Sequence, residues 1–474
     1  MKNKISFLTA ITPVIFLIIF LTFNVIIYGD AAIGGPNQII LMLAASIAAI
    51  IGIINNIKLN IILKAIGENI KSTSNAIIIL LLIGALSGTW LISGIIPTMV
   101  YYGLQIISPE IFLFICCIIC AIISLATGSS WSTIATFGIA LLSIGNALGI
   151  NEGLVCGAII SGAYFGDKMS PLSDTTNLAS AMSNTKLFNH IRYMMLTTIP
   201  SFIITIILFL IIGISLKTTG NQINENNIYN ITDILNNINN NFEINLYLLF
   251  VPVILIVLII KKTPAIPALI YGILLGAFCA ILFQKEIIIN MSDINNSYIK
   301  NCYIAVINSI SQEQQILFFK SKGMYGMLNT IWLIISAMCF GGAMESAKLL
   351  KTISNYILKF AQSITSLIAS TSISCLFCNI TTSDQYLAIV IPGKMFSDSY
   401  KKQNLAPENL SRTLEDTGTV TSVLIPWNTC GATQSAILGV STLTFLPYCF
   451  FNLISPFMTI MFAVLKIKIK KIKN

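Results

Sequence analysis

The sequence predicts an all-α polytopic membrane protein, a bundle of roughly 10–13 spanning helices at about 20 residues per span. Of its 474 residues, 55% are hydrophobic and only 9% are charged. An average soluble domain carries roughly 25% charged residues, so this chain cannot cover a core of its size with a polar shell. Long apolar runs recur along the whole chain, and two of them contain polar interruptions. We therefore expect a lipid-embedded bundle in which some helices are interrupted or re-entrant.

Positive charge gathers at both ends of the chain. Lys2 and Lys4 precede the first apolar run, and the last nine residues include Lys466, Lys468, Lys470, Lys471 and Lys473. Such clusters beside spans mark the cytoplasmic side, so we expect both termini there and an even number of crossings. The net charge of +9 does not indicate nucleic-acid binding, because no basic face with interleaved aromatic residues lies outside the apolar runs. The expected partner is the lipid bilayer.

Three smaller features are interpreted as structural. The first apolar run, residues 5–28, is too long for a signal-peptide core and is predicted to be a retained span. Eleven cysteines lie mostly in apolar runs, which favours small buried hydrophobic residues over a metal or redox site. The single histidine, His190, is predicted to lie in a loop or at an interface, outside the helix bundle.

A shift of 255 residues aligns similar segments in the two halves of the chain. It places Thr127 on Thr382, Trp131 on Tyr386, Gly138 on Gly393 and Pro171 on Pro426. Many secondary transporters build a midplane site from repeats with paired interrupted helices. We therefore predict two such repeats. That they are inverted is a hypothesis, which requires an odd number of crossings in each repeat.

The repeat divides the chain into four parts. Residues 1–74 are predicted to form N-terminal spans outside the repeat, and residues 75–216 the first transporter repeat. Residues 217–326 are predicted to supply an outer loop, beginning with an Asn-rich stretch, and linking spans. Residues 327–474 are predicted to form the second repeat, which ends in a basic cytoplasmic tail.

The first polar interruption covers residues 127–133, where a glycine and five hydroxyl side chains separate two apolar runs. At membrane depth such a segment is tolerated where it lines water or packs against protein. We expect Gly128 and Ser129 to lie at the tip of a re-entrant hairpin or in an unwound span. The alternative is a close contact between helices, which small residues also mediate in membranes.

The second interruption in this half is centred on Pro171. Proline disfavours helix in the residue before it, so the preceding helix is expected to end near Met169. Ser170 is then predicted as the N-cap of a new helix, with Pro171 at its first position. A broken helix leaves carbonyls free on one side, which suit a hard cation, and amides free on the other, which suit an anion.

Two carboxylates, Asp167 and Asp174, frame this break. A carboxylate at bilayer depth costs about 2.5–3.5 kcal/mol on insertion scales, so it normally faces a cavity or a partner. Lys168 is the expected partner of Asp167. We predict an ion- or proton-binding site with Asp174 as its first candidate and Asp167 as its second. Neutral oxygens are expected from Thr175, Thr176 and Asn177. At the surface, the same charges would form a solvated turn.

The second half repeats this pattern with other residues. Asp384 stands where the first half has Ser129. Pro426 interrupts an apolar run, and Asn428 and Thr429 supply oxygens just after the break, followed by Gly431 as a positioning residue.

The segment before this break carries two further acids. Asp416 joins the candidate ion- or proton-binding residues. Arg412 and Glu415, three residues apart, are the right distance for an ordinary ion pair on a helix surface.

These stretches resemble the signature segments of the NhaC-type Na⁺/H⁺ antiporters. The resemblance rests on residues 166–177, 384–394 and 413–431, with support from 84–102 and 341–345. It extends over roughly residues 75–465, and departs from the family pattern at Ser132 and Ile134, where smaller residues are expected.

The resemblance implies a secondary transporter that exchanges Na⁺, or Li⁺, for H⁺ across a bacterial inner membrane, without a cofactor. Some relatives couple Na⁺ or H⁺ to organic acids or amino acids, so an exchanger of small carboxylates or amino acids is the alternative. Its anion-binding group could be the free amides after Pro171 and Pro426. The stoichiometry and a homodimer are left open.

In the expected mechanism, alternating access surrounds a carboxylate, first of all Asp174, that binds either Na⁺ or a proton. An enzyme is not expected, because no nucleophile lies beside an evident base and no His-Glu metal motif occurs. A passive channel is disfavoured because the polar residues cluster at two breaks and do not line one continuous path.

Overall fold

The computed structural model describes residues 5–218, 231–261, 263–292 and 297–472. The predicted cytoplasmic lysines Lys2, Lys4 and Lys473 lie outside the described residues, as does much of the Asn-rich stretch. Within the described residues, eight helices are long and apolar enough to cross a membrane, judged by length and composition. Two further helix pairs, bent by 91° and 55°, raise this number to ten if each is one span. The chain is therefore an all-α polytopic membrane protein, as predicted.

Three helices precede the repeats. They are α1 (Phe7–Tyr28), α2 (Pro36–Ile54) and α3 (Leu59–Ser72). The hydroxyl of Ser6 caps α1 by accepting a hydrogen bond from the Thr9 amide at 3.1 Å, and Pro36 supplies the first residue of α2, where a missing amide costs nothing. Helices α2 and α3 both pack against a helix of the second repeat, so the N-terminal spans belong to the same bundle.

The first repeat contains long helices separated by short breaks. Its elements are α4 (Ser74–Ile92), α5 (Ile95–Ile106), α6 (Pro109–Thr127), α7 (Ser130–Thr133), a π-helical turn (Ile134–Gly138), α8 (Ile139–Ala147), α9 (Glu152–Met169), α10 (Asp174–Ser183) and α11 (Leu187–Thr218). Helix α9 ends at Met169, as the proline predicts.

A linking region joins the repeats. It comprises α12 (Ile231–Asn241), α13 (Phe250–Ile260), α14 (Ala265–Phe283), α15 (Lys285–Asn290), α16 (Tyr298–Ser311) and an antiparallel hairpin of β1 (Gln314–Ile316) and β2 (Phe319–Ser321). Helices α14 and α16 pack against α4, which places this region beside the first repeat.

The second repeat follows the same plan. Its elements are α17 (Leu328–Ser346), α18 (Leu349–Leu358), α19 (Ile364–Thr381), α20 (Gln385–Lys402), α21 (Pro407–Thr413), a π-helical turn (Leu414–Thr419), a 3-10 turn (Ser422–Leu424), α22 (Thr429–Leu438), α23 (Thr442–Phe445) and α24 (Phe450–Val464). Asp384 lies in the short segment between α19 and α20, and Pro426 lies in the short segment before α22.

The helix boundaries of the two halves coincide under the predicted shift of 255 residues. Helices α6, α7, α9 and α10 begin at residues 109, 130, 152 and 174, and α19, α20, α21 and α22 begin at 364, 385, 407 and 429. The left-handed residue before the second helix of each pair matches as well, with φ of 72° at Gly128 and 57° at Ser383. The predicted repeat is thus present in the backbone. Its inversion and the division of the chain into four parts stay predictions.

The predicted start of α10 is wrong. The chain first makes a turn in which the Leu172 amide donates to the Ser170 hydroxyl at 3.2 Å and the Ser173 amide donates to the Ser170 carbonyl at 3.2 Å. Helix α10 then begins at Asp174, with Ser173 as its N-cap in an extended conformation. Pro171 therefore lies in the turn and is not the first helical residue.

Helices α6 and α9 approach each other backbone to backbone. A methyl group at Gly162 would lie 2.1 Å from the Cys117 carbonyl oxygen, and one at Gly166 would lie 2.3 Å from that of Ala121. In lipid, helix association depends on close packing and interhelical hydrogen bonds, which small residues permit. The Ser124 hydroxyl supplies one such bond, donating to the Ala163 carbonyl at 2.6 Å. The eleven cysteines, all among the described residues, are buried free thiols.

Replacing Gly162 by alanine is expected to destabilise the protein by about 1–3 kcal/mol, because the two helices must separate to admit the methyl group. The measurement is the melting temperature of the purified protein in detergent. The matched control is Gly67→Ala in α3, where the added methyl group meets open space. Equal melting temperatures for the two variants would contradict the packing described here.

Candidate functional site

The interrupted segments of the first and the second repeat line one polar cavity of about 700 Å³. The first repeat contributes residues 127–129, 131–132 and 172–175 and Asp167, and the second contributes residues 384–386 and Thr429. Direct contacts hold these segments in place: the Thr429 amide donates to the Ser383 carbonyl at 2.9 Å. Residues from interrupted segments of both repeats thus line the same cavity. The rest of the cavity wall comes from residues outside the two breaks, including Ser72, Thr73 and Asn75, which the sequence analysis did not single out.

Three carboxylates line the cavity: Asp174 and Asp384 lie at the start of a helix, and Asp167, near the end of α9, contacts the start of α7. Asp174 is the first residue of α10. Asp384 is the N-cap of α20, and its Oδ1 accepts from the Leu387 amide at 2.9 Å. Oδ2 of Asp167 accepts from the first residue of α7, Ser130, at 3.0 Å from its amide and 2.7 Å from its hydroxyl. The free amides and dipole of a helix N-terminus stabilise negative charge, so this arrangement favours acidic side chains.

The three carboxylates differ in access to the cavity. Asp174 is exposed, whereas Asp167 and Asp384 are 7% and 8% exposed. A hydrated ion that enters the cavity therefore reaches Asp174 most easily. The neutral oxygens of Thr175 and Thr429 also line the cavity.

Three other residues that were predicted as ion ligands form hydrogen bonds to the backbone at the breaks. The Thr176 hydroxyl donates to the carbonyl of Lys168 at 2.9 Å, near the end of α9. The Asn177 amide donates to the Pro171 and Ser173 carbonyls at 3.0 and 2.8 Å. Asn428 caps α22, accepting from the Cys430 amide at 3.0 Å. These side chains satisfy backbone groups that the breaks leave free.

The residues predicted to position the breaks act through sterics and capping. Gly128 adopts a φ of 72°, and a methyl group there would lie 2.7 Å from the Leu172 side chain. The Ser129 hydroxyl caps α7 by accepting from the Ser132 amide at 3.2 Å. A methyl group at Gly431 would lie 2.1 Å from the Ile425 carbonyl oxygen, just before Pro426 in the turn.

The expected pairing of Lys168 with Asp167 is wrong. The Lys168 ammonium pairs with Asp416 and donates to the Ser455 hydroxyl at 3.1 Å, and the side chains of Lys168 and Asp416 are both fully buried. Asp416 also accepts hydrogen bonds from Thr197, at 2.8 Å, and from Thr459. Consecutive residues on a helix point about 100° apart, so Asp167 can face the cavity while Lys168 faces away from it. The pair links α9 of the first repeat to the π-helical turn of the second.

Asp416, predicted as an ion-binding residue, is therefore committed to this buried pair. Nothing in the sequence near Asp416 indicates its partner, because Lys168 lies 248 residues away along the chain. The hydroxyls of Thr197 and Thr459, which complete the cluster, were missed for the same reason.

Two further predictions about charged or titratable groups are wrong. Arg412 and Glu415 are fully buried, and no ion pair joins them in the described part of the chain. The Arg412 guanidinium lies over the Tyr193 ring, 4.6 Å from its centre.

His190 lies inside α11, buried, with Nδ1 2.7 Å from the Ser411 hydroxyl. The apolar length of α11 is the signal that places His190 within the bundle.

Comparison with known proteins assigns this architecture to a family. The model of the Na⁺/H⁺ antiporter family matches residues 162–467, a range that includes the three cavity carboxylates and Asp416. The chain belongs to the Na⁺/H⁺ antiporter family. The resemblance recognised from the signature segments is thereby confirmed.

Several members of the family resemble the chain over most of its length. It is 38% identical to the Na⁺/H⁺ antiporter NhaC of Alkalihalophilus pseudofirmus, over 91% of this chain and 90% of that protein. It is 36% identical to the malate-2H⁺/Na⁺-lactate antiporter of Bacillus subtilis, over 89% and 87%. It is 34% identical to the arginine/ornithine antiporter ArcD of Halobacterium salinarum, over 83% and 79%. The chain is thus a multi-pass secondary antiporter, a class of transporters and not of enzymes.

Replacing Lys168 by methionine is expected to destabilise the protein by about 3–5 kcal/mol, because Asp416 is left as a buried charge without its cation. Removing both charges in Lys168→Met/Asp416→Leu should recover most of this loss. Melting temperatures in detergent measure both effects.

The control for this experiment is Lys64→Met. Lys64 forms a surface pair with Glu68, with side chains 79% and 67% exposed. Such pairs contribute little to stability. A melting temperature that falls as far for Lys64→Met as for Lys168→Met would contradict the importance assigned to the buried pair.

Proposed function

We propose that the protein exchanges Na⁺ for H⁺ by alternating access, with Asp174 as the carboxylate that binds either cation. The observation that carries this proposal is the single cavity where both helix breaks meet and three carboxylates converge. Among the described residues that line it, there is no lysine or arginine. The charged groups of the lining are thus all acidic, which favours a cationic substrate.

The cavity supplies the oxygen ligands that a hard cation prefers. Asp174 offers its carboxylate, and the neighbouring hydroxyls of Thr175 and Thr429 offer neutral oxygens from the two repeats. Asp167 and Asp384 add negative potential, which raises the local concentration of cations.

One carboxylate couples the two fluxes because it has one charge to neutralise. An ionised carboxylate without a partner is costly to enclose within the bilayer. The cavity can therefore close and reopen on the other side when Asp174 holds a proton or a Na⁺ ion, but not when it is empty. Each Na⁺ carried one way must then be exchanged for a proton carried the other way.

The location in a bacterial inner membrane, with both termini in the cytoplasm, is part of the same proposal. It is supported by the basic tail after α24, because lysines close to the end of a span are enriched on the cytoplasmic side. In the structure this tail is attached to the bundle, because Lys470 forms an ion pair with Glu408 at 2.5 Å. Li⁺ is expected as a second substrate because it is also a small hard cation.

Replacing Asp174 by asparagine is expected to abolish Na⁺-driven proton flux, because the amide keeps the shape of the side chain but cannot exchange a proton for a cation. The flux is measured in proteoliposomes with an entrapped pH-sensitive dye. The control is Asp398→Asn, which removes an exposed carboxylate on α20 that is not part of the cavity lining. Undiminished exchange by the Asp174→Asn protein would remove Asp174 from the site.

The alternative function is Na⁺- or H⁺-coupled exchange of small carboxylates or amino acids. Two relatives are named as antiporters of malate and lactate and of arginine and ornithine. The cavity volume also falls in the range of sites for small organic molecules.

Adding malate, lactate, arginine or ornithine at fixed Na⁺ is expected to leave the proton flux unchanged. The physical reason is that a small hard cation or a proton already satisfies the single charge at Asp174, so the exchange needs no organic compound. The assay is the same proteoliposome measurement with each organic compound added in turn. Stimulation by any one of them would favour the alternative over Na⁺/H⁺ exchange.

A further inference from the structure

Glu415 is a buried acid that the proposed exchange at Asp174 does not use. It lies in the π-helical turn Leu414–Thr419 and is fully buried. Within the described part of the chain, neither of its carboxylate oxygens has a hydrogen-bond partner. An ionised carboxylate in such a place would lack both solvation and hydrogen bonds, which is the costly state for a buried charge.

No ion pair or hydrogen bond joins Glu415 to a nearby cation in the described part of the chain. Lys168 is already paired with Asp416 and bonded to Ser455. Arg412, three residues before Glu415, directs its guanidinium to the Tyr193 ring. Lys168 and Asp416 together carry no net charge, and the buried Arg412 guanidinium has no hydrogen-bond partner among the described residues. No hydrogen bond or ion pair therefore fixes Glu415 in its ionised form, so it can take up and release a proton.

The turn that carries Glu415 is connected to the cavity wall. Gln385, which lines the cavity, donates its side-chain amide to the Thr419 carbonyl at 3.0 Å. Asn379 of α19 donates to the Gly418 carbonyl at 2.7 Å and to the Thr421 hydroxyl at 3.0 Å. These hydrogen bonds connect the turn directly to α19 and to the start of α20. Single π-helical turns often mark functional sites, because their backbone can change register locally.

We propose that Glu415 carries a second transported proton, in addition to the one exchanged at Asp174. The inference rests on the proposed Na⁺/H⁺ exchange. In one half of the cycle both acids are protonated and no Na⁺ is bound. In the other half, both protons have left to the same side of the membrane and one Na⁺ occupies the cavity. Two protons then move against one Na⁺, so each cycle transfers one net charge across the membrane.

The stoichiometry of the full-length protein in proteoliposomes tests this proposal. With the membrane potential held at zero, a tenfold Na⁺ gradient is imposed and the pH difference that stops net flux is measured. Two protons per Na⁺ balance the gradient with half the pH difference that one proton per Na⁺ requires. The wild-type protein is expected to show the smaller value, and Glu415→Gln, which retains only the proton at Asp174, to show twice that value.

Three further measurements make the result unambiguous. Exchange of ²²Na⁺ for unlabelled Na⁺ is expected to persist in Glu415→Gln, which also shows that the variant is folded. Glu415→Asp, which restores a titratable acid, should return to the wild-type balance point. The matched control is Glu408→Gln, the same change seven residues earlier at a carboxylate paired with Lys470, and it should behave as wild type.

The outcomes separate the two proposals. A wild-type protein that moves no Na⁺ would overturn the proposed function. A wild-type protein that exchanges Na⁺ with the same balance point as Glu415→Gln would overturn the second proton and leave the exchange intact. Loss of ²²Na⁺ exchange in Glu415→Gln would also overturn it, because Glu415 would then be needed to bind or translocate Na⁺.

Discussion

Backbone groups that are freed where a helix breaks inside a membrane must find partners within the protein, because lipid offers none. The structure meets this requirement with side chains beside each break. Thr176 bonds a carbonyl near the end of α9, Asn177 bonds two carbonyls of the turn, and Asn428 caps α22. The breaks are therefore stable although no described neighbouring helix occupies the space between them. What remains between them is a polar cavity, and the candidate site depends on it.

The backbone of the two repeats is symmetric, but their charges are not. Under the shift of 255 residues, Asp174 corresponds to Thr429 and Asp384 corresponds to Ser129. Each repeat thus contributes an acid at a position where the other has a hydroxyl. Because both repeats line one cavity, these acids share one site. If the two repeats had the same residues at these positions, the site would hold twice as many carboxylates, which would repel one another. The shared scaffold supplies the geometry, and a few side chains set the chemistry.

The relatives named in the comparisons differ in the substrates that their names give. Proteins 34–38% identical to this chain are named as antiporters of Na⁺, of organic acids and of basic amino acids. In this chain, helix breaks and close glycine contacts shape the cavity, whereas its charge depends on the groups that line it. The charged residues of the lining are acidic among the described residues, and the buried Lys168 nearby is already paired with Asp416.

The sequence by itself determined the features that depend on local chemistry: the apolar spans, the repeat, the end of α9 at Met169 and the acids at the breaks. Hydropathy and proline geometry act over a few residues, so they can be recognised without a fold. Only the tertiary structure decided which groups pair, because the partners lie far apart in the chain. It paired Lys168 with Asp416 instead of Asp167, and it buried Glu415 where a helix-surface ion pair was expected. A charge in a membrane protein takes its role from the neighbours that replace water, and the fold alone brings those neighbours together.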